Sequence, residues 1–398
     1  MIHVNLNRFG FSLTKRALIL YNICIVYFFR LWTYVTFSNS TITIKIYVVY
    51  FTYYTLHRKM RYIMKRTNRK IPFLFSFILG LAILIGMFVI AMTFGAADVQ
   101  FSHVWQAIFT SSNEKGMSII RELRLPREVA AMFVGAALAV SGAIMQGITR
   151  NPLADPGLLG LTAGANMALA ITLAFLPGTG YFGIMVACFI GASIGAGMVF
   201  GISAIKKGGF SPFRIVLAGA AVSAFLYAIA EGVGIYFKIS KDVSMWTAGG
   251  VIGTSWGQVQ VIVPFITVGI IIALMLSRQL TILSLNEEVA IGLGQKTTWI
   301  KAVLFIIITL LAGASVALVG NMAFIGLMIP HIVRALVGTD YRLILPMSVL
   351  IGAAFMLMAD TLGRTINAPF ETPVAAIVSI MGLPFFLFIV HKGGKAFL

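Results

Sequence analysis

The sequence predicts an all-α integral membrane protein built from about ten transmembrane helices, and three observations carry that prediction. Of its 398 residues 59% are hydrophobic and only 11% charged, where soluble chains hold about a quarter charged residues; the mean hydropathy is +0.97. Apolar runs long enough to cross a bilayer core of about 30 Å, which takes about 20 helical residues, recur from Pro72 to the C-terminus. Gly, at 39 residues, recurs at helical spacing inside those runs, a sign of closely packed helices. Backbone polar groups in lipid must bond within the segment or to protein, so the runs are read as helices.

Residues 1–63 read differently from the rest. They are rich in Tyr, Phe, Thr and Ile, lack Gly after Gly10, and show no clean helical stripe. The stretch from Ala17 to Phe37 is long enough to span once despite Asn22 and Arg30, whereas Ile42 to Leu56 is short and β-branched. No small-residue cleavage site follows an apolar stretch, so a secretory signal is not expected. We read residues 1–63 as an atypical extension, with the natural start at Met64 or Met60, because Met64 opens the basic run Lys65, Arg66, Arg69 and Lys70. Residues 64–398 form the transmembrane domain.

Within that domain the expected spans are 72–94, 126–148, 157–176, 181–205, 212–237, 258–277, 299–320, 323–337, 343–364 and 371–391. Holding the basic run before Pro72 inside places Arg150, Lys206, Lys207, Arg278, Lys296, Arg334, Arg342, Lys392 and Lys395 in the cytoplasm, in accord with the positive-inside rule. The outside then holds Gly95 to Leu125, the loop at Pro177, Lys238 to Gly257 and the turns near Asn321 and Asn367. Small residues at helical spacing, Gly191 with Gly195, Gly197 with Gly201, and Gly135 with Ala139 and Ala143, mark expected helix contacts. LAVSGAIMQG after Ala137 faintly resembles LAGASVALVG after Leu310, and the second and seventh spans run in opposite directions, which suggests an inverted internal repeat.

The formal net charge of +18 does not point to nucleic acid. Residues 1–70 supply twelve Lys or Arg and no acid, and the remainder carries eighteen bases against twelve acids, an ordinary balance for a membrane protein. Cys24 and Cys188 sit in apolar stretches and are read as core residues. No Walker loop, paired zinc histidines or nucleophile elbow is present, so no catalytic residue, cofactor or metal site is expected. Any driving energy must come from another chain or from an ion gradient. Membrane carboxylates are few, Glu231 and Asp360, which argues against an ion-coupled carrier. Asp360 lies four residues before Arg364, the spacing of an internal ion pair, and Glu231 lies near the outer end of its span, where it can face water.

Two groups of residues stand out. In TILSLNEEVAIGLGQK, Ser284 and Glu287 have capping-box spacing, and Glu287 and Glu288 suit a first helical turn. A short cytoplasmic helix ending near Gly292 or Gly294 is expected, either a plain connector or, with Ala290, Gly292 and Gly294 giving it a low profile, a surface for a partner. On the outside, Arg124 and Arg127 flank Leu125 and Pro126, and Arg364 ends the ninth span. Such guanidinium groups suit bidentate pairing with carboxylates of a soluble partner, or snorkelling to lipid headgroups.

The motifs RLPREVAAMFVGAALAVSGAIMQGITRNPLADPGLLGLTAGA (Arg124 to Ala165), SLNEEVAIGLG, NMAFIGLMIPHIVR, ADTLGR and MGLPFFLFIV occur in this order. They closely resemble the iron-siderophore and cobalamin permeases of bacterial ATP-binding cassette importers, over about Pro72 to the end. The resemblance implies a type II importer permease fold of ten spans, both termini in the cytoplasm, and two permease subunits around a central path in the cell membrane. It implies as partners a separate ATPase dimer, an extracytoplasmic substrate-binding protein and a second permease subunit, identical or related. The implied cargo is a ferric siderophore, with cobalamin or haem as the alternative. It makes Ser284, Leu285, Asn286, Glu287, Glu288, Ala290, Gly292 and Gly294 the element that couples to the ATPase, and Arg124, Arg127 and Arg364 the positions that face acidic residues of the binding protein.

Overall fold

The computed structural model describes residues 73–95, 118–204 and 212–391. All belong to one unit, residues 71–398; the expectations for residues 1–63 and for the natural start lie outside the described residues. The segment Phe73–Thr93, 21 residues with no charge, forms α1. A π-helical turn at Ile120–Arg124 leads into α2, Leu125–Thr149, with Pro126 in its first turn as its missing N–H allows. A short 3-10 turn, Pro156–Leu159, precedes α3, Leu161–Phe175, then α4, Tyr181–Ala204, and α5, Pro212–Tyr236. Next come α6, Ser240–Ala248; α7, Trp256–Met275; α8, Ser277–Leu285; and α9, Glu287–Gly292. The chain continues with α10, Thr297–Val319; α11, Ile325–Val337; α12, Tyr341–Thr365; and α13, Val374–His391.

Each of the ten expected spans corresponds to a helix within a few residues, since length and apolarity are local properties. Seven are long and apolar enough to cross a membrane, and α3, α11 and α13 are shorter. The segment from Lys238 to Gly257, expected outside, carries α6. The eighth span begins at Ile325 rather than 323, because residues 320–324 are irregular: Gly320 (φ 74°) and Phe324 (φ 67°) are left-handed. Backbone bonds to neighbouring chain satisfy this break, with Asn321 N donating to Thr247 O and Gly250 N to Val319 O. The two stretches of faint internal similarity lie in α2 and α10, and each of these long helices is followed by a short one, α3 and α11.

Helix α2 is the axis of the bundle: 83% of its apolar window is buried, against 72% for α10 and α12 and 11% for α1 at the edge. Its glycines set the spacing. A Cβ on Gly135 would strike the Gly352 carbonyl of α12, and one on Gly142 would strike the Gly326 carbonyl of α11. Likewise Gly164 of α3 meets Gly191 of α4, and Gly195 meets Gly160. Gly197 and Gly201, expected as contact positions, instead face open space, because only one face of α4 turns towards α3. Cys188 is buried in the core, as its apolar setting implied.

Candidate functional site

At the outer end of α2, three guanidinium groups and three carboxylates form one cluster. Arg124 donates to the Met92 and Thr93 carbonyls at 2.8 and 3.3 Å, satisfying the last turn of α1. Arg127 holds Asp360 through Nε and Nη2 and Glu371 through Nη1 and Nη2, the closest contacts being 2.9 and 2.8 Å. Arg364 pairs with Glu128, donates to the Ala91 carbonyl, and places Nε 3.0 Å from Asp360 Oδ2. The Asp360 and Arg364 pair expected from their spacing is therefore present, with Arg127 sharing the carboxylate.

This geometry differs from outward-pointing arginines. Arg124 and Arg364 are buried, and only the Arg127 side chain, 11% exposed, and Glu371, 28% exposed, reach solvent. The physical reason is charge compensation: an Arg turned into an apolar bundle requires a carboxylate or carbonyl, and Glu128 and Glu371 supply what Asp360 alone does not. Neither Glu128 nor Glu371 was singled out in the sequence. The usable signal was three arginines at apolar helix ends with too few neighbouring acids to balance them.

The other end carries the short element expected on the cytoplasmic side. Asn286, in an extended conformation, separates α8 from α9 and caps α9, its side chain accepting from Glu288 N at 3.1 Å. Ser284 is not the cap, because it lies inside α8 and donates to the Thr281 carbonyl. Asn caps as well as Ser, and its later position starts a fresh helix axis. Three ties hold the element to the bundle. Glu287 pairs with Lys301 of α10 and lies 3.6 Å from Arg150, the left-handed residue that ends α2. Thr281 donates to Asp340 at 3.0 Å and accepts from Tyr341 N, joining α8 to the start of α12. Partial burial pushes the Asp340 carboxyl up, but hydrogen bonds from Arg342 and Thr281 outweigh it and hold the group below the usual carboxylate range.

Ala290, expected on the gripping surface, is fully buried and seats α9 against its own chain. Gly292 and Gly294 do lie in open space, and Gly294 (φ 80°) is left-handed. The exposed face consists instead of Leu285, Val289, Ile291 and Leu293, all 46% exposed or more. Four large apolar side chains within nine residues give this anchored element an apolar exposed face of the kind a protein partner can cover. Replacing Leu285 and Ile291 together with Asp is expected to abolish co-purification of the ATPase subunit and reduce transport at least about tenfold. An unchanged elution profile in detergent would show that the permease itself still folds.

Among the described residues, a cavity of about 190 Å³ lies between α2, α3, α5 and α10, with Asp155, Thr162, Tyr227 and Asn321 in its lining. It has room for several waters.

Residues 82–392 match the FecCD transport family. The chain belongs to that family. As a FecCD member it is a membrane-spanning permease subunit of a bacterial ATP-binding cassette importer, a multi-pass protein of the cell membrane, and ATP hydrolysis resides in a separate subunit. It is 45% identical over 328 residues to the iron(3+)-hydroxamate import system permease protein FhuB of Bacillus subtilis (strain 168), covering 82% of this chain and 85% of that one. It is 40% identical over 320 residues to the Fe(3+)-citrate import system permease protein YfmD of the same organism, covering 80% and 95%. The hemin transport system permease protein HmuU of Yersinia pestis is 38% identical over 307 residues, covering 75% and 90%. Among solved structures, an inward-facing metal-chelate type ABC transporter superposes with a TM-score of 0.71 at 26% identity, over 80% of this chain and 99% of that one. The family implies an ATPase and a binding protein as partners in general terms.

Proposed function

We propose that this permease carries ferric siderophores by alternating access. A loaded binding protein docks outside at the cluster of Arg124, Arg127 and Arg364, with Arg127 nearest solvent. An ATPase dimer grips Leu285, Val289, Ile291 and Leu293 inside, and ATP-driven closure moves α9. A second permease subunit, identical or related, completes the path. The observation that supports this reading is that α2 has the arginine cluster at one end and, at the other, Arg150 beside Glu287 of α9. The relatives named for iron(3+)-hydroxamate and Fe(3+)-citrate support a ferric chelate as cargo, and the hemin relative supports haem as the alternative.

The test is uptake of radioactive iron presented by a panel of hydroxamate, catecholate and citrate chelates, and of labelled haem and cobalamin, in iron-starved cells with and without the gene. Loss of uptake of one chelate class is expected on deletion. That uptake should stop when ATP is depleted and persist when an ionophore collapses the proton gradient with ATP maintained. Survival of uptake without ATP overturns the mechanism, and loss confined to haem or cobalamin transfers the cargo to the alternative.

A further inference from the structure

We propose that Glu371 is a built-in stand-in for the binding protein, and that docking proceeds by exchange: an acidic residue of the binding protein displaces Glu371 from Arg127. This rests on the docking role of the arginine cluster proposed above.

Arg127 grips two carboxylates that are held very differently. Asp360 is fully buried on α12 and is also held by Arg364, so it is fixed. Glu371 lies beyond the end of α12, in the turn before α13, is 28% exposed, and has Arg127 as its one ionic partner among the described residues. This pair is weaker than a fully buried one, because water competes for Glu371. The buried contact cannot yield to a visitor, and the outer one can.

Charge balance points the same way. Arg124, Arg127 and Arg364 face Glu128, Asp360 and Glu371, so the cluster is neutral while Glu371 is seated. Swinging Glu371 out leaves the cluster with a net charge of +1, which an incoming carboxylate on Arg127 neutralises in the same bidentate geometry. The same turn exposes Ile366 and Phe370, 64% and 73% accessible, which supply apolar contact beside the exchanged charge. The fitting partner is therefore a protein displaying a carboxylate next to an apolar patch. A basic or purely polar surface does not fit.

The exchange has an unusual sign. Removing the negative charge of Glu371 removes a competitor, so docking should tighten although an ion pair is lost. The experiment uses the full-length permease in nanodiscs with its second subunit and ATPase, and titrates the binding protein that restores uptake in the cells described above. With Glu371→Gln the dissociation constant is expected to fall about tenfold at low salt, and with Glu371→Asp, which keeps the charge but shortens the reach, to fall by a smaller factor. Arg127→Gln should lose most docking. Unchanged or weaker docking of both Glu371 variants, beside a wild type that docks normally, overturns the exchange and leaves the docking role standing. Undiminished docking of Arg127→Gln overturns the docking role itself.

Discussion

Replacement of Asp360 by Ala is expected to cost about 3–5 kcal/mol of stability, the usual penalty for removing one partner of a buried ion pair. The carboxylate is fully buried and serves two guanidinium groups, Arg127 from α2 and Arg364 from its own helix. Without it the cluster holds three arginines against two acids, and Arg364, buried on α12, loses one of its two carboxylate partners. Unfolding in mixed detergent micelles, followed by Trp fluorescence, measures the loss. Asp360→Asn should recover part of it, since the amide keeps the shape and accepts one hydrogen bond. A variant as stable as wild type would mean that the pair contributes nothing and that solvent enters the cluster freely.

Gly142→Ala is expected to be comparably damaging. A methyl group there would overlap the Gly326 carbonyl, and a backbone atom in a helix cannot rotate aside as a side chain would. Relief requires moving α2 from α11, at about 3 kcal/mol, the upper end of overpacking costs. Gly197→Ala provides the comparison, because nothing lies within 4 Å of its added methyl group. Its better helix propensity makes it neutral or slightly stabilising. Equal behaviour of the two variants in a thermal aggregation assay would remove helix contact as the reason for glycine at position 142.

Both expectations mark where sequence reading succeeded and where it stopped. The long helices were legible because a span is written in some 20 consecutive residues, and the short helix because Glu287 and Glu288 suit a first turn, although its cap is Asn286 and not Ser284. The arginine cluster was only half legible. Its residue types were conspicuous, but their directions depend on partners 233 to 244 residues away in the chain, Asp360, Glu371 and Glu128. Helical spacing revealed the Asp360 and Arg364 contact and could reveal no other. The same limit applies to the glycines: Gly191 and Gly197 look alike in sequence, and only the position of α3 separates a contact from an open face. Ala290 was misassigned because smallness suits a gripping surface and a seat equally well.

The short helix α11 bears on how the protein is made. At 1.5 Å per residue its 13 residues extend about 20 Å, less than the lipid core of about 30 Å. It is entered through an irregular backbone whose bonds go to residues 247–250. Such a segment cannot partition into lipid by itself as it leaves the translocon. Its stable insertion is therefore expected to depend on α2 and α12, the helices it packs against.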